Sequence, residues 1–378
     1  MAFALPAAPF PARGAEPGAL AFVGVHVVTM ASEEVLRDQT VVVERGRIAA
    51  IGPRDEVAVP AGARRIEGLN GYLLPGLADL HAHATDPLVL PLFLAHGVTR
   101  VQLLNALPEM LEWPAEAVKE GLPAPAVHAC AGPVGGLQDE AAARRAVEEA
   151  AAHGFRCLKP YDDIARPAYR ALIAAARERG AKTVGHIPRN LHWRDMLAAS
   201  SDAVAHAEEF LYSPIESQED VDEIVRGMRD RRIALVTTLT NYDLIARQVV
   251  DLDGLLADPE LALVPAVDRR FWGPGRNRYE KGFALAEVPN LRRLLAFQRR
   301  LVKRLQDAGA TLLLGTDTGN SFVFPGASAH AELRELVAAG LTPYQALRAA
   351  TWEPARFLGL AAESGSIAVG KRADLLLV

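Results

Sequence analysis

Residues 155–186 read FRCLKPYDDIARPAYRALIAAARERGAKTVGH. The apolar run 155–159 stops on Lys159, the stretch 166–180 is amphipathic at helical spacing and closes on Gly180, and a second apolar run, 183–186, stops on His186. A glycine just past the last periodic residue is a common helix terminus. Strand, helix and strand in so short a span make a βα unit, whose two strands lie parallel in one sheet.

The same rhythm continues on both sides. Strand-like runs fall at 72–80, 98–104, 126–130, 203–206, 233–237 and 311–315, making eight with the two already quoted. Amphipathic stretches such as DEAAARRAVEEAAAHG and NLRRLLAFQRRLVKRLQDAG separate most of them. Eight alternating βα units favour an α/β chain closed into a (β/α)8 TIM barrel over an open doubly wound sheet. Short β-rich runs with tight turns occupy residues 19–70 and return at 364–378, which predicts one small β-sandwich domain formed from both termini. Residues 71–363 are then the barrel, and 1–18, rich in proline, alanine and glycine, a flexible head. Residues 241–289 break the rhythm between the seventh and eighth strands and are read as a lid-like insertion over the barrel mouth.

Composition narrows the function. A net charge of −5, with acidic and basic residues interspersed, offers neither a basic footprint for nucleic acid nor a polybasic membrane patch. No run of 18 apolar residues marks a spanning helix. The expected partner is a small molecule or a short peptide, with assembly as a homo-oligomer left open. The head lacks the pattern of a signal peptide, so the cytoplasm is favoured, although an exported mature form is compatible with it. Cys130 and Cys157 are too few for a disulfide framework and are read as two buried thiols.

The polar residues that interrupt the apolar runs carry the chemistry. His81 and His83 end the first strand, Lys159 the fourth, His186 the fifth and His206 the sixth, while Asp317 lies just past the eighth. All sit at C-terminal strand ends, the face on which barrel enzymes build their sites. His81 and His83 are two apart on a strand and point to one side. Imidazole and carboxylate are ligands for zinc and similar divalent ions. Taken singly, each is as well read as a hydrogen-bonded core residue, and Lys159 as the partner of Asp162, Asp163 or Asp317; their joint placement favours a metal site.

With those residues in place, the chain resembles the amidohydrolase superfamily, and within it the imidazolonepropionase-like and prolidase-like members. The resemblance lies in GYLLPGLADLHAH, HGFRCLKPYDD, TVGHIPR, DAVAHAEEF, LLLGTDTGN, GLTPYQALRAATWEPARFLGL and GSIAVGKRADLLLV, which follow in the order of the family's motifs. It implies that His81, His83 and Asp317 hold one divalent ion and His186 and His206 a second, with zinc as the expected metal and Lys159 carrying a CO2-derived carbamate between them. It further implies hydrolysis of an amide C–N bond in a dipeptide or N-acyl amino acid, with Asp317 as the acid–base residue. A lactonase or phosphotriesterase, or a cyclic-amide hydrolase, would use the same site. A catalytically silent binding scaffold would have lost ligands, and all six are present. Tyr161, Arg189, His128, Asn320 and His330 are the candidate substrate contacts. The family usually continues beyond the segment that ends at Val378, which leaves a truncated C-terminus as a further expectation.

Overall fold

The computed structural model describes residues 18–378, so the expected head lies, apart from Gly18, outside the described residues. Two compact units emerge, one from residues 18–76 with Ala355–Val378 and the other from Leu77–Pro354.

The first unit is a six-stranded sheet of β1 (Leu20–Val28), β2 (Val35–Glu44), β3 (Arg47–Pro53), β4 (Arg64–Glu67), β5 (Tyr72–Pro75) and β14 (Leu375–Leu377). β14, from the far end of the chain, pairs antiparallel with β5, Leu376 opposite Leu74. β1–β2 and β2–β3 are also antiparallel, whereas β4 and β5 both run parallel to β1. Alternation puts Val25, Val27, Val41 and Val43 on one face, where they pack with Ile48, Leu73 and Ile367.

The second unit is the barrel. β6 (Leu77–Ala82), β7 (Val98–Ala106), β8 (Ala126–Val134), β9 (Cys157–Pro160), β10 (Lys182–Gly185), β11 (Ala203–Ala205), β12 (Ala234–Val236) and β13 (Leu312–Leu313) are hydrogen-bonded in sequence order. Hydrogen bonds between the first and last strands close the ring: Leu80 N donates to Leu314 O (2.8 Å), Asp317 N to His81 O (2.7 Å) and His83 N to Thr318 O (2.6 Å). Every residue of β6 is buried, as expected of a parallel strand covered on both faces. The run expected as one strand, 72–80, is two: it divides at Pro75–Gly76, its first half joining the small sheet and its second opening the barrel. Proline has no N–H to extend a ladder.

The two cysteines depart from expectation. Both are buried, but they form a disulfide across β8 and β9, with Cα atoms 4.3 Å apart. The register explains the pairing: Ala131 lies opposite Leu158, which sets Cys130 and Cys157 side by side despite a sequence separation of 27.

The insertion is largely helical. Its helix Leu239–Val250 begins directly after β12, and shorter turns follow to Arg278–Gly282. Leu244, Leu252, Leu255 and Trp272 pack on Phe322, Val323 and Phe324, which lie just beyond β13 at the C-terminal rim. Asn277, fully buried, fastens the fold of this segment by donating to Gln248 Oε1 (2.7 Å) and the Trp272 carbonyl (3.1 Å). No helix among the described residues is long and apolar enough to cross a membrane.

Candidate metal centre

The C-terminal ends of the strands deliver the polar residues to one place. His81 Nε2, His83 Nε2 and Asp317 Oδ1 form a triangle in which each pair is 3.2 Å apart. Ligands at roughly 2.1 Å from a tetrahedral ion stand about 3.4 Å from one another, so the spacing suits one. Among the described residues, these three are the group whose donor atoms converge in this way. Asp317, with φ +63°, and His206, with φ +79°, occupy the left-handed region at the ends of their strands. Backbone in that region is costly for non-glycine residues and recurs where a site needs a side chain aimed against the strand's own course.

Asp317 is also held from behind. Its Oδ2 accepts from Asn241 Nδ2 (2.8 Å) and Asn320 Nδ2 (2.5 Å). Burial works against its charge, yet the imidazoles of His81 and His206 and the hydrogen bonds from His81 and His83 hold the carboxyl well below its ordinary range. Burial drives His81 the other way, down to about 3, against the pull of Asp317. A neutral imidazole beside an ionised carboxylate is the state in which both groups ligate a cation.

Lys159, His186 and His206 surround this triangle. Lys159 Nζ lies 3.4 Å from His81 Nε2, and no carboxylate oxygen of the described residues comes within ion-pairing distance of it. Burial lowers its pKa, opposed by Asp317 and Glu209. The His206 ring centroid is 4.4 Å from that of His81 and 5.1 Å from that of His186. His206 Nδ1 is 3.0 Å from Thr238 Oγ1. Both ring nitrogens of His186 are buried without a hydrogen-bond partner in the protein, as is His81 Nδ1. Leaving such groups unmatched costs about 1–3 kcal/mol each, so the donor set is arranged for something the chain itself does not supply.

Three of the candidate substrate contacts reach this rim. The Tyr161 ring lies 4.4 Å from that of His186, and Asn320, besides donating to Asp317, accepts from Arg278 of the insertion at 2.9 Å. Arg189 is present but engaged: it pairs with Glu209 at 3.0 Å and stacks 3.7 Å above the Tyr212 ring. The other two are elsewhere. His128 is the third residue of nine in β8, which runs on to Val134, and its Nε2 lies 2.7 Å from Arg100 Nη1 at the end away from the mouth. His330 lies on the helix Ala327–Ala338 with its Nε2 2.8 Å from the His96 carbonyl.

Several buried carboxyls at the site escaped the sequence reading. Asp79, fully buried, accepts from His81 N (3.1 Å), Thr316 N (3.0 Å) and Thr316 Oγ1 (2.6 Å), joining the first and eighth strands just below the ligands. Its position two before His81 was an available signal, since i and i+2 share a strand face. Glu209 Oε1 lies 3.6 Å from His186 Nδ1, and burial lifts its carboxyl to about 8 despite Arg189. Glu332, far along the chain, accepts from Thr237 Oγ1 (2.5 Å), Leu239 N (2.9 Å) and Thr240 N (2.7 Å), capping the helix that carries Asn241. Glu332→Gln keeps the shape but has a single acceptor oxygen for three donors. Thermal or urea unfolding should show a loss of about 2 kcal/mol, and unchanged stability would contradict this role.

Comparison with known proteins places these features in a group. The model of the Amidohydrolase family matches residues 92–378. A 5-methylthioadenosine/S-adenosylhomocysteine deaminase of Symbiobacterium thermophilum is 27% identical over 381 aligned residues, covering 91% of this chain and 81% of that protein. The solved structure of a bottromycin amidohydrolase superposes with a TM-score of 0.73 at 25% identity, covering 95% of this chain and 81% of the other. A candidate prolidase from Bifidobacterium longum superposes at 0.70 with 23% identity, covering 96% and 89%; at that identity the likeness speaks for the fold alone. Given the extent of the family match, the chain belongs to the amidohydrolase family and is a hydrolase of that superfamily.

Proposed function

We propose that this protein is a metal-dependent amide hydrolase that cleaves the C–N bond of a dipeptide or an N-acyl amino acid. The observation that carries the reading is the triangle of His81, His83 and Asp317, with Asp317 fixed by two asparagine amides. His81, His83 and Asp317 would hold one ion, and His186, His206 and Lys159 would complete a second position. The all-nitrogen-and-oxygen donor set suits zinc. A bound divalent ion supplies a Lewis acid and lowers the pKa of water toward neutrality.

The chain's own residues do the rest. Asp317 receives a proton at its carboxylate and returns it to the leaving nitrogen. Lys159, a buried side chain without a carboxylate partner, reacts as the neutral amine that burial favours: its nitrogen adds to CO2 and one N–H proton is released, which leaves an anionic carbamate with two oxygens for ligation. Tyr161, its ring 4.4 Å from that of His186, would hold the substrate carboxylate or carbonyl through its hydroxyl, and Asn320 keeps Asp317 oriented.

The test is metal analysis of the purified protein together with a panel of dipeptides, N-acyl amino acids, lactones and phosphotriesters. Metal-dependent turnover of the amides, above that of the esters, is expected. A preference for lactones or phosphotriesters, or activity that survives complete metal removal, would reject the reading. The identity to a deaminase over most of the chain favours a second reading, hydrolytic removal of an amino group from a purine. Ammonia release from adenine nucleosides would establish that alternative in place of the first.

A further inference from the structure

A cavity of about 520 Å³ opens between residues 210–215, which follow β11, and the helix Val288–Asp307. The helix explains its character. Leu291, Leu295, Gln298, Val302 and Leu305 form the buried stripe that packs on the barrel. Arg293, Phe297 and Arg300 stand at i, i+4 and i+7, a second face that lines the cavity together with Leu294. Phe210 and Tyr212 form the opposite wall.

Two features point to a ligand of defined chemistry. The first is charge. Arg299 and Arg304 on the same helix are bound to Glu335 and Asp222, whereas neither Arg293 nor Arg300 has a carboxylate in ion-pairing range among the described residues. The contact Arg293 does make is a donation to Asn290 Oδ1 at 2.7 Å. Two such guanidinium groups on the edge of an aromatic cavity match an apolar body that ends in a carboxylate. The second is position. Tyr212 lines the cavity and is linked to the metal centre by successive contacts: Arg189 stacks on its ring at 3.7 Å, Arg189 pairs with Glu209 at 3.0 Å, and Glu209 lies 3.6 Å from His186. Phe210 follows Glu209 directly in the chain.

We propose that this cavity binds the part of the substrate remote from the scissile bond, an aromatic or medium-length alkyl group that carries a carboxylate at its far end. Tyr212, Leu294 and Phe297 take the apolar body, and Arg293 and Arg300 the carboxylate. As a carboxylate-binding site the inference stands alone; as a substrate subsite it rests on the amide-hydrolase reading.

The experiment has two arms. In the first, calorimetric titration with 4-phenylbutyrate is compared for the wild type, Phe297→Ala and the double variant Arg293→Ala/Arg300→Ala, with 4-phenylbutanol as the uncharged control. Both variants alter residues at a solvent-open cavity, and melting curves check that they fold. Binding to the wild type, weakened about tenfold or more in each variant and weaker still for the alcohol, is expected. No binding, or equal binding by wild type and variants, would overturn the site. No turnover is needed for this arm, so it survives failure of the amide reading. In the second arm, kcat/KM is compared for an amino acid acylated with glutaryl-phenyl and with acetyl groups. A preference for the longer anionic acyl group that collapses in the double variant, while acetyl turnover is maintained, supports the subsite. Binding in the first arm without that preference would overturn its role in substrate recognition.

Discussion

Asp317→Asn should fold, and its turnover should fall by about 10²–10⁴-fold. The replacement is isosteric, so the backbone bond from residue 317 to the His81 carbonyl, 2.7 Å in the wild type, has no reason to change. The side chain has only one satisfactory orientation. Asn241 and Asn320 both direct N–H groups at Oδ2, so the new amide must keep its oxygen on that side. Its NH2 then faces His81 and His83, where Oδ1 stood 3.2 Å from each imidazole nitrogen. An acceptor becomes a donor that can neither take a proton nor ligate a cation. Measuring kcat beside metal content separates these losses, and near wild-type kcat would refute the acid–base role.

The second large effect is expected for Lys159→Ala. If the carbamate forms, metal content should fall from two ions per chain to one, with turnover reduced at least about a hundredfold. The physical basis is the setting of the ammonium. An unpaired buried cation 3.4 Å from a His81 nitrogen is unfavourable, and burial shifts Lys159 toward the neutral amine that reacts with CO2. Elemental analysis decides the matter. One ion per wild-type chain, unaltered in the variant, would refute the bridge and leave Lys159 a positioning residue beside His81.

The barrel was legible because its signals are local. Each strand carries its own apolar run and most are followed by an amphipathic helix, so the eight strands could be counted along the chain. The six ligand candidates were legible for a related reason: a polar residue that ends an apolar strand stands out against its neighbours. His128 misled because its strand continues six residues further, to Val134, which puts it near the start rather than the mouth. Strand ends are set by hydrogen bonds to adjacent strands, and 126–130 alone does not contain them.

The pairings across the barrel were not legible. Cys130 and Cys157 become neighbours through the register of β8 against β9, a relation between distant segments that no window along the chain displays. Asp79, Glu209 and Glu332 drew no reading from the sequence, and folding buries all three. Their importance comes from the donors each one meets, and those donors lie on other elements, Thr316 for Asp79 and Thr237 with Leu239 for Glu332. Asn241 was seen only as the start of an insertion, yet it holds the carboxylate on which the proposed chemistry turns.

From the sequence alone came the family resemblance, the barrel and the residue types of a candidate metal site, because periodicity and strand-end chemistry are written within single segments. Tertiary structure alone decided that His81, His83 and Asp317 stand 3.2 Å apart, that Arg189 is committed to Glu209, and that an arginine-edged cavity lies between residues 210–215 and the helix Val288–Asp307. Those are distances between segments far apart in the chain, fixed by barrel closure and helix packing, and no local pattern encodes them.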